Sequence, residues 1–156
     1  MVGGNELRAV MRRFPAGVAV LTADVDGDRI GMTIGSLVSL SLEPALVGVS
    51  IGRDLAAHEL VRHAGGFGVS ILSAEQEHLA DRFAHRRPPI ALWEGVPVRE
   101  GTVAPLLDGA LGWLECRVVA AHGVGDHTLF VGEVVAAQHG AEGRGLSYRE
   151  STYHPV

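Results

Sequence analysis

The chain contains no lysine; all thirteen of its basic residues are arginine. That excludes Schiff-base chemistry, including pyridoxal phosphate held on a lysine. It also excludes the phosphate-binding lysines of P-loop proteins and kinases. Any phosphate must be held by arginine, hydroxyls or backbone. Cysteine is nearly missing too. The single Cys116 allows no internal disulfide, fits a reducing compartment, and in a strand-like run reads as a small buried hydrophobe. No apolar stretch reaches the ~18 residues of a transmembrane helix, and the N-terminus lacks the apolar core and cleavage pattern of a signal peptide. The expectation is a cytoplasmic protein with no membrane partner. A formal charge of −5 argues against nucleic acid, since the Arg12–Arg13 and Arg86–Arg87 pairs are too small to make a basic face. There is no G-x-S-x-G elbow, no H-E-x-x-H and no C-x-x-C, so a serine hydrolase or a zinc site has little support. His122 and His127 flank a turn without a third ligand, and read as a turn-side polar pair. The glycines of His139–Gly145 are followed by no helix long enough for a dinucleotide fingerprint.

What is present suits one β-rich domain over residues 1–156. Hydrophobic residues make up 47% of the chain, enough for a substantial core at this length. Leu7, Val10, Met11 and Phe14 form one stripe of a first helix with Asn5 as its cap. Gly17–Ala23 and Arg29–Thr33 flank an Asp26–Gly27 turn and predict a hairpin. Ala45–Ile51 and Phe67–Leu72 read as buried strands. A second helix is predicted over Asp54–His63, capped by Asp54, buried through Ala57, Leu60, Val61 and Ala64, and stopped by Gly65–Gly66. Ser73 and Gln76 form an S-x-x-Q box opening a third helix over Ala74–Ala84, with Gln76, Leu79, Ala80 and Phe83 inward. Pro88 begins a long loop reaching about Ala110. Gly112–Ala121 and His127–Ala137 form a second hairpin, and Leu146–Tyr148 a last short strand. Short strands, turns and a few helices favour an antiparallel barrel with helices outside over a parallel sheet. Strands apolar on both sides suggest a face buried against a second copy, hence a homodimer.

The run Gly31–Arg53 carries five hydroxyls, Thr33, Ser36, Ser39, Ser41 and Ser50, between glycines and short apolar pieces. Each buried hydroxyl must find a partner, so packing alone does not explain so many. The run can offer backbone N–H groups and small hydroxyls to a flat ligand with polar edges. Ser50, Ile51, Gly52 and Arg53 lead into the second helix, whose free N–H groups with a serine and an arginine make a candidate anion site. Asp54 competes for those groups. A solvated arginine at an ordinary strand-to-helix turn is the alternative.

The chain resembles the flavin reductase family, small NAD(P)H:flavin oxidoreductases that supply reduced flavin to two-component monooxygenases. The resemblance is carried in order by Phe14–Thr22, Gly31–Met32–Thr33 with Ser36 and Ser39–Pro44, Phe67–Leu72, Gln76, Phe83–Ala84, Gly109–Leu111, Leu114–Cys116 and Gly125–Val134. It implies an FMN-binding split barrel, a Greek-key antiparallel β-barrel with peripheral helices that dimerises near the flavin. It implies FMN or FAD and NADH or NADPH as ligands, and a flavin-dependent monooxygenase as partner. In that picture Thr33, Ile34, Gly35, Ser36, Ser39 and Leu40 line the isoalloxazine and ribityl chain. Ser50 to Arg53 lie by the phosphate, Phe83 packs beside the flavin, and His127 faces the nicotinamide, with Tyr153 closing that side. Gly35, Val38 and the lack of a hydroxyl after Arg53 depart from the family pattern and bear on the phosphate contacts. A flavin-holding dimer without turnover remains the alternative, because one barrel serves different activities.

Overall fold

The computed structural model describes residues 1–156. In chain order its elements are α1 (Gly4–Met11), β1 (Ala16–Gly17), β2 (Ala19–Val25), β3 (Asp28–Ile34), β4 (Val38–Leu42), β5 (Ala45–Gly52), α2 (Ala56–Ala64) and β6 (Gly66–Ile71). A 3₁₀ turn (Ala74–Gln76), α3 (Glu77–Ala84), α4 (Pro89–Trp93), β7 (Val98–Glu100), β8 (Pro105–Leu107), β9 (Gly112–Val124), β10 (His127–His139), β11 (Leu146–Arg149) and β12 (Thr152–Pro155) follow.

Seven strands form one antiparallel sheet in the order β3-β2-β6-β9-β10-β5-β4. Its edge strands, β3 and β4, are consecutive in the chain and joined only by Gly35, Ser36 and Leu37. Four Cα steps span at most ~15 Å, so the sheet must curl until its two edges approach. No ladder joins β3 to β4. Ser36 bridges to the β4 side: its Oγ donates to the Ser50 carbonyl (3.1 Å) and accepts from the Ser50 N–H (3.0 Å).

Strand β2 explains why the sequence shows no clean polar face there. Ala19, Leu21 and Ala23 enter a core with Ile51, Val61, Phe67 and Phe130. Val18 and Val20 enter a second core with Leu79, Phe83, Leu92 and Leu107. A strand buried on both faces is apolar throughout. Thr22 is fully buried and donates to the Pro105 carbonyl (2.6 Å), which satisfies its hydroxyl. Cys116 is buried, and burial, with Glu115 beside it, pushes its thiol up to about 12. It is an inert core side chain, as its setting in the sequence suggests.

The predicted elements are largely present, with physically intelligible differences. Helix α1 starts at Gly4, because the Glu6 carboxylate accepts from the Gly3 N–H (2.8 Å), while Asn5 accepts from Arg8 instead. Helix α2 starts at Ala56 with Leu55 at its cap position, so Asp54 lies one residue outside; Gly65 ends it at φ +65° as anticipated. The Ser73 N–H donates to the Gln76 side chain (3.1 Å), but the first turn is 3₁₀ and the α-helix begins at Glu77. The expected loop from Pro88 holds α4 and the β7–β8 hairpin. Strands β4 and β12 were not anticipated. No helix is long and apolar enough to cross a membrane.

Candidate functional site

The antiparallel pairing of β5 with β10 sets His127 opposite Gly52, Thr128 opposite Ile51 and Leu129 opposite Ser50. Two segments far apart in sequence, Ser50–Arg53 and Asp126–His127, therefore share one rim. The Arg53 N–H donates to the Asp126 carbonyl (3.1 Å). The Arg53 guanidinium lies where a side chain on Gly123 would sit, so glycine at that position leaves it room. His127 Nδ1 is 2.7 Å from Asp126 Oδ1, and the His127 side chain is about half exposed. This hydrogen bond, aided by the imidazole's charge and that of Arg53, holds Asp126 below the ordinary carboxylate range. An ionised carboxylate can only accept, so Nδ1 carries hydrogen and Nε2 is left for a ligand.

Beside this rim lies a groove of about 610 Å³, within the size range of small-molecule sites. Its walls are Asp28–Thr33 of β3, the start of α2 (Asp54–Ala57 and Leu60), and the end of α3 with the following loop (Phe83–Arg87, Pro89 and Leu92). Phe83 is buried and stands edge-on to Trp93, with ring centroids 5.1 Å apart. Thr33 Oγ1 donates to the Ala80 carbonyl (2.6 Å), which ties β3 to α3. The groove is half hydrophobic and edged by the first turn of a helix, whose leading N–H groups have no intrahelical partner. It can hold a flat, partly apolar, anionic ligand.

Of the residues singled out from sequence, Thr33 and Phe83 line this groove. Ile34 and Ile51 point into the core. Gly35 and Ser36 form the link between the sheet edges, and Ser39 and Leu40 sit exposed on β4. Ser50, Gly52, Arg53 and His127 form the adjoining rim. Tyr153 packs half-buried against Tyr148 (centroids 4.9 Å) and the second core, away from the groove walls. His122 stands opposite Leu129 and His127 opposite Val124, so the two histidines are not cross-strand partners.

Residues 11–156 match the model of the flavin reductase like domain. The chain belongs to the flavin reductase family. A NADH-dependent FAD reductase of Streptomyces globisporus is 41% identical over 136 residues, 85% of this chain and 74% of that protein. The reductase component of a 4-hydroxyphenylacetate 3-monooxygenase of Thermus thermophilus is 36% identical over 146 residues, 94% of this chain and 92% of its own length. The solved structure of a Streptomyces globisporus NADH:FAD oxidoreductase in complex with NAD and FAD fragments superposes with a TM-score of 0.91. It is 33% identical, with 99% of this chain and 94% of that chain covered.

For this flavin reductase the sequence left several site residues unmarked. Leu55 and the Arg86–Arg87 pair line the groove, yet they stand outside the hydroxyl-rich motif, while Met32 lines it from within the Gly31–Arg53 run without carrying a hydroxyl. Only the approach of α2 and α3 to β3 places them there. One groove residue gives a direct test. A Cβ on Gly31 would overlap the Phe83 ring and lie 3.3 Å from Trp93. Gly31→Val will drive the ring out of its seat into the groove. Flavin affinity should fall about tenfold, with ~1–3 kcal/mol of overpacking cost. Fluorescence titration of flavin and thermal melts of the variant check both.

Proposed function

We propose that this chain is the reductase component of a two-component system, reducing free FMN or FAD with NADH or NADPH and passing the reduced flavin to a monooxygenase. The observation that carries this reading is a groove walled by Thr33 and Phe83 whose wall residue Asp54 directly follows Arg53 of the rim that holds the Asp126–His127 pair. The bound flavin supplies the hydride acceptor at N5 and the pyridine nucleotide the donor.

The chain's own residues orient, shield and neutralise. Phe83 and Thr33 give the flat ring one apolar wall and one polar edge. Gly35, Ser36 and Leu37 lie outside the strand ladders, and their backbone N–H groups suit negative charge developing on the ring's polar edge. Ser39 and Leu40 extend that side. Arg53 serves a phosphate. His127 offers Nε2 to the nicotinamide amide or to a proton in transit; Tyr153, packed against Tyr148 and the second core, takes no part in this arrangement.

The curled sheet is proposed to complete a Greek-key split barrel, residues 1–156 acting as one domain, in a homodimer within a reducing aqueous compartment. Two features support the dimer. Helix α1 buries none of its residues, and its Leu7, Val10 and Met11, with Phe14 three residues beyond its end rather than on it, are 51–68% exposed. Edge strand β4 exposes Val38, Leu40 and Leu42. Apolar surface in such contiguous amounts marks an interface.

NADH oxidation followed with and without added flavin tests the function. Flavin-dependent consumption is the expected result; tight yellow colour without oxidation would replace it with a flavin-holding module. Arg53→Ala tests the phosphate role. FMN and FAD affinity should drop about tenfold, ~1.4 kcal/mol, with riboflavin affinity unchanged. Equal loss for all three in fluorescence titrations would remove Arg53 from the phosphate.

A further inference from the structure

We propose that His58 is a positioning residue for hydride transfer, joining the groove wall to the rim that carries His127. The proposal rests on the flavin reductase reading above. His58 lies in the first half of α2 and is 7% exposed. Its Nε2 is 2.8 Å from Thr128 Oγ1, and its Nδ1 is 3.1 Å from Glu59 Oε1. Its ring stands edge-on to Phe130, with centroids 5.3 Å apart. The Glu59 carboxylate can only accept, so Nδ1 carries hydrogen toward it and Nε2 meets the Thr128 hydroxyl, which can donate or accept.

A core position beside Ala57, Val61, Ile51 and Phe130 would accept leucine or phenylalanine for packing alone. A buried polar pair is worth more as a locator than as a source of stability, because each partner tolerates only one geometry. The located atom is well chosen. Thr128 is paired with Ile51 on β5 and Gly123 on β9, and is itself buried. Its neighbour His127 stands opposite Gly52, and Arg53 binds the Asp126 carbonyl one residue further back. Side chains alternate along a strand, so fixing Thr128 inward fixes His127 outward. The residues immediately before His58, Asp54–Ala57, line the groove. One side chain thus sets the distance between the groove that takes the ring and the histidine that faces its partner.

The test is a double-mutant cycle on turnover. Thr128→Val keeps the shape and removes only the hydroxyl; His58→Leu removes the ring; His58→Gln keeps a polar group able to reach Thr128. Steady-state kinetics with NADH at saturating flavin are measured beside thermal melts. Thr128→Val and His58→Leu should each lower kcat/KM for NADH about fivefold or more, the size expected of a small misplacement, and His58→Gln should restore most of it. In a His127→Ala background the same changes should alter kcat/KM less than twofold while still lowering the melting temperature. Losses that persist undiminished without His127, or folded Thr128→Val protein with parental kinetics, would overturn the positioning role. Should His58→Leu fail to fold, Thr128→Val carries the cycle. If His127→Ala itself matches the parent, the assignment of His127 fails and this proposal with it; a parent without flavin-dependent oxidation marks failure of the functional reading instead.

Discussion

Replacing His127 with alanine will lower kcat/KM for NADH by about tenfold or more, at the small end of acid–base and orienting effects. The reasoning starts from the ring's surroundings. Asp126 takes the Nδ1 hydrogen at 2.7 Å, so Nε2 is the one nitrogen free toward a ligand. Asp126 is held below the ordinary carboxylate range, chiefly by His127 itself. A carboxylate depressed in this way contributes its stabilisation above its unfolded value, and loses it as pH falls through the folded one. It therefore stays ionised throughout neutral pH, and any change in rate near neutrality reports another group. Flavin affinity should barely change in the variant, because the groove and Arg53 are untouched. Stopped-flow reduction at varied NADH separates the two effects. A rate and KM equal to the parent's would remove His127 from the mechanism.

The largest loss of stability will come from Phe67→Ala. Phe67 is fully buried at the centre of the main core, on β6 between β2 and β9. Its ring fits over Gly132: a Cβ there would lie 2.7 Å from the Phe67 ring and 2.8 Å from the Cys116 Cβ. The glycine on β10 is thus the seat of the aromatic ring. Truncation empties that seat, and neighbouring β-strands cannot close over it without breaking their ladders. Phe→Ala at such sites costs ~3–5 kcal/mol, a large share of the ~5–15 kcal/mol that holds a domain folded. Denaturant unfolding should show a midpoint shift of that size, and the melting temperature should fall by about 10 °C or more. A shift under ~1 kcal/mol would mean that the core relaxes around the site.

Sequence alone reached those parts of this molecule that are decided locally. The Asp26–Gly27 turn sets the β2–β3 hairpin, Gly65 stops α2, and the Ser73–Gln76 contact opens the segment leading into α3. Each rests on residues within a few positions of one another. The hydroxyl-rich run was legible as a functional segment, but not how its members divide. Thr33 faces the groove, Ser36 fastens β5, and Ser39 sits on an exposed edge. Those fates depend on the curl of the sheet, which no window of sequence contains. Strand β4 is hard to read because none of its five residues is buried, so no inward face marks it, and the segment is too short for its alternation to register. The meeting of Arg53 with Asp126 requires the β5–β10 register. His58 carries no signal in the sequence, since the apolar face of its helix runs through Ala57, Leu60, Val61 and Ala64. Its burial is set by a hydroxyl on β10, seventy positions away.

Anaerobic mixing of the purified protein with NADH and excess flavin tests the central claim most directly. The account predicts that flavin absorbance bleaches by one equivalent for each NADH consumed, over many turnovers per protein chain, and that colour returns when oxygen is admitted. Bleaching no faster than in buffer, with no flavin retained by the protein, would contradict it.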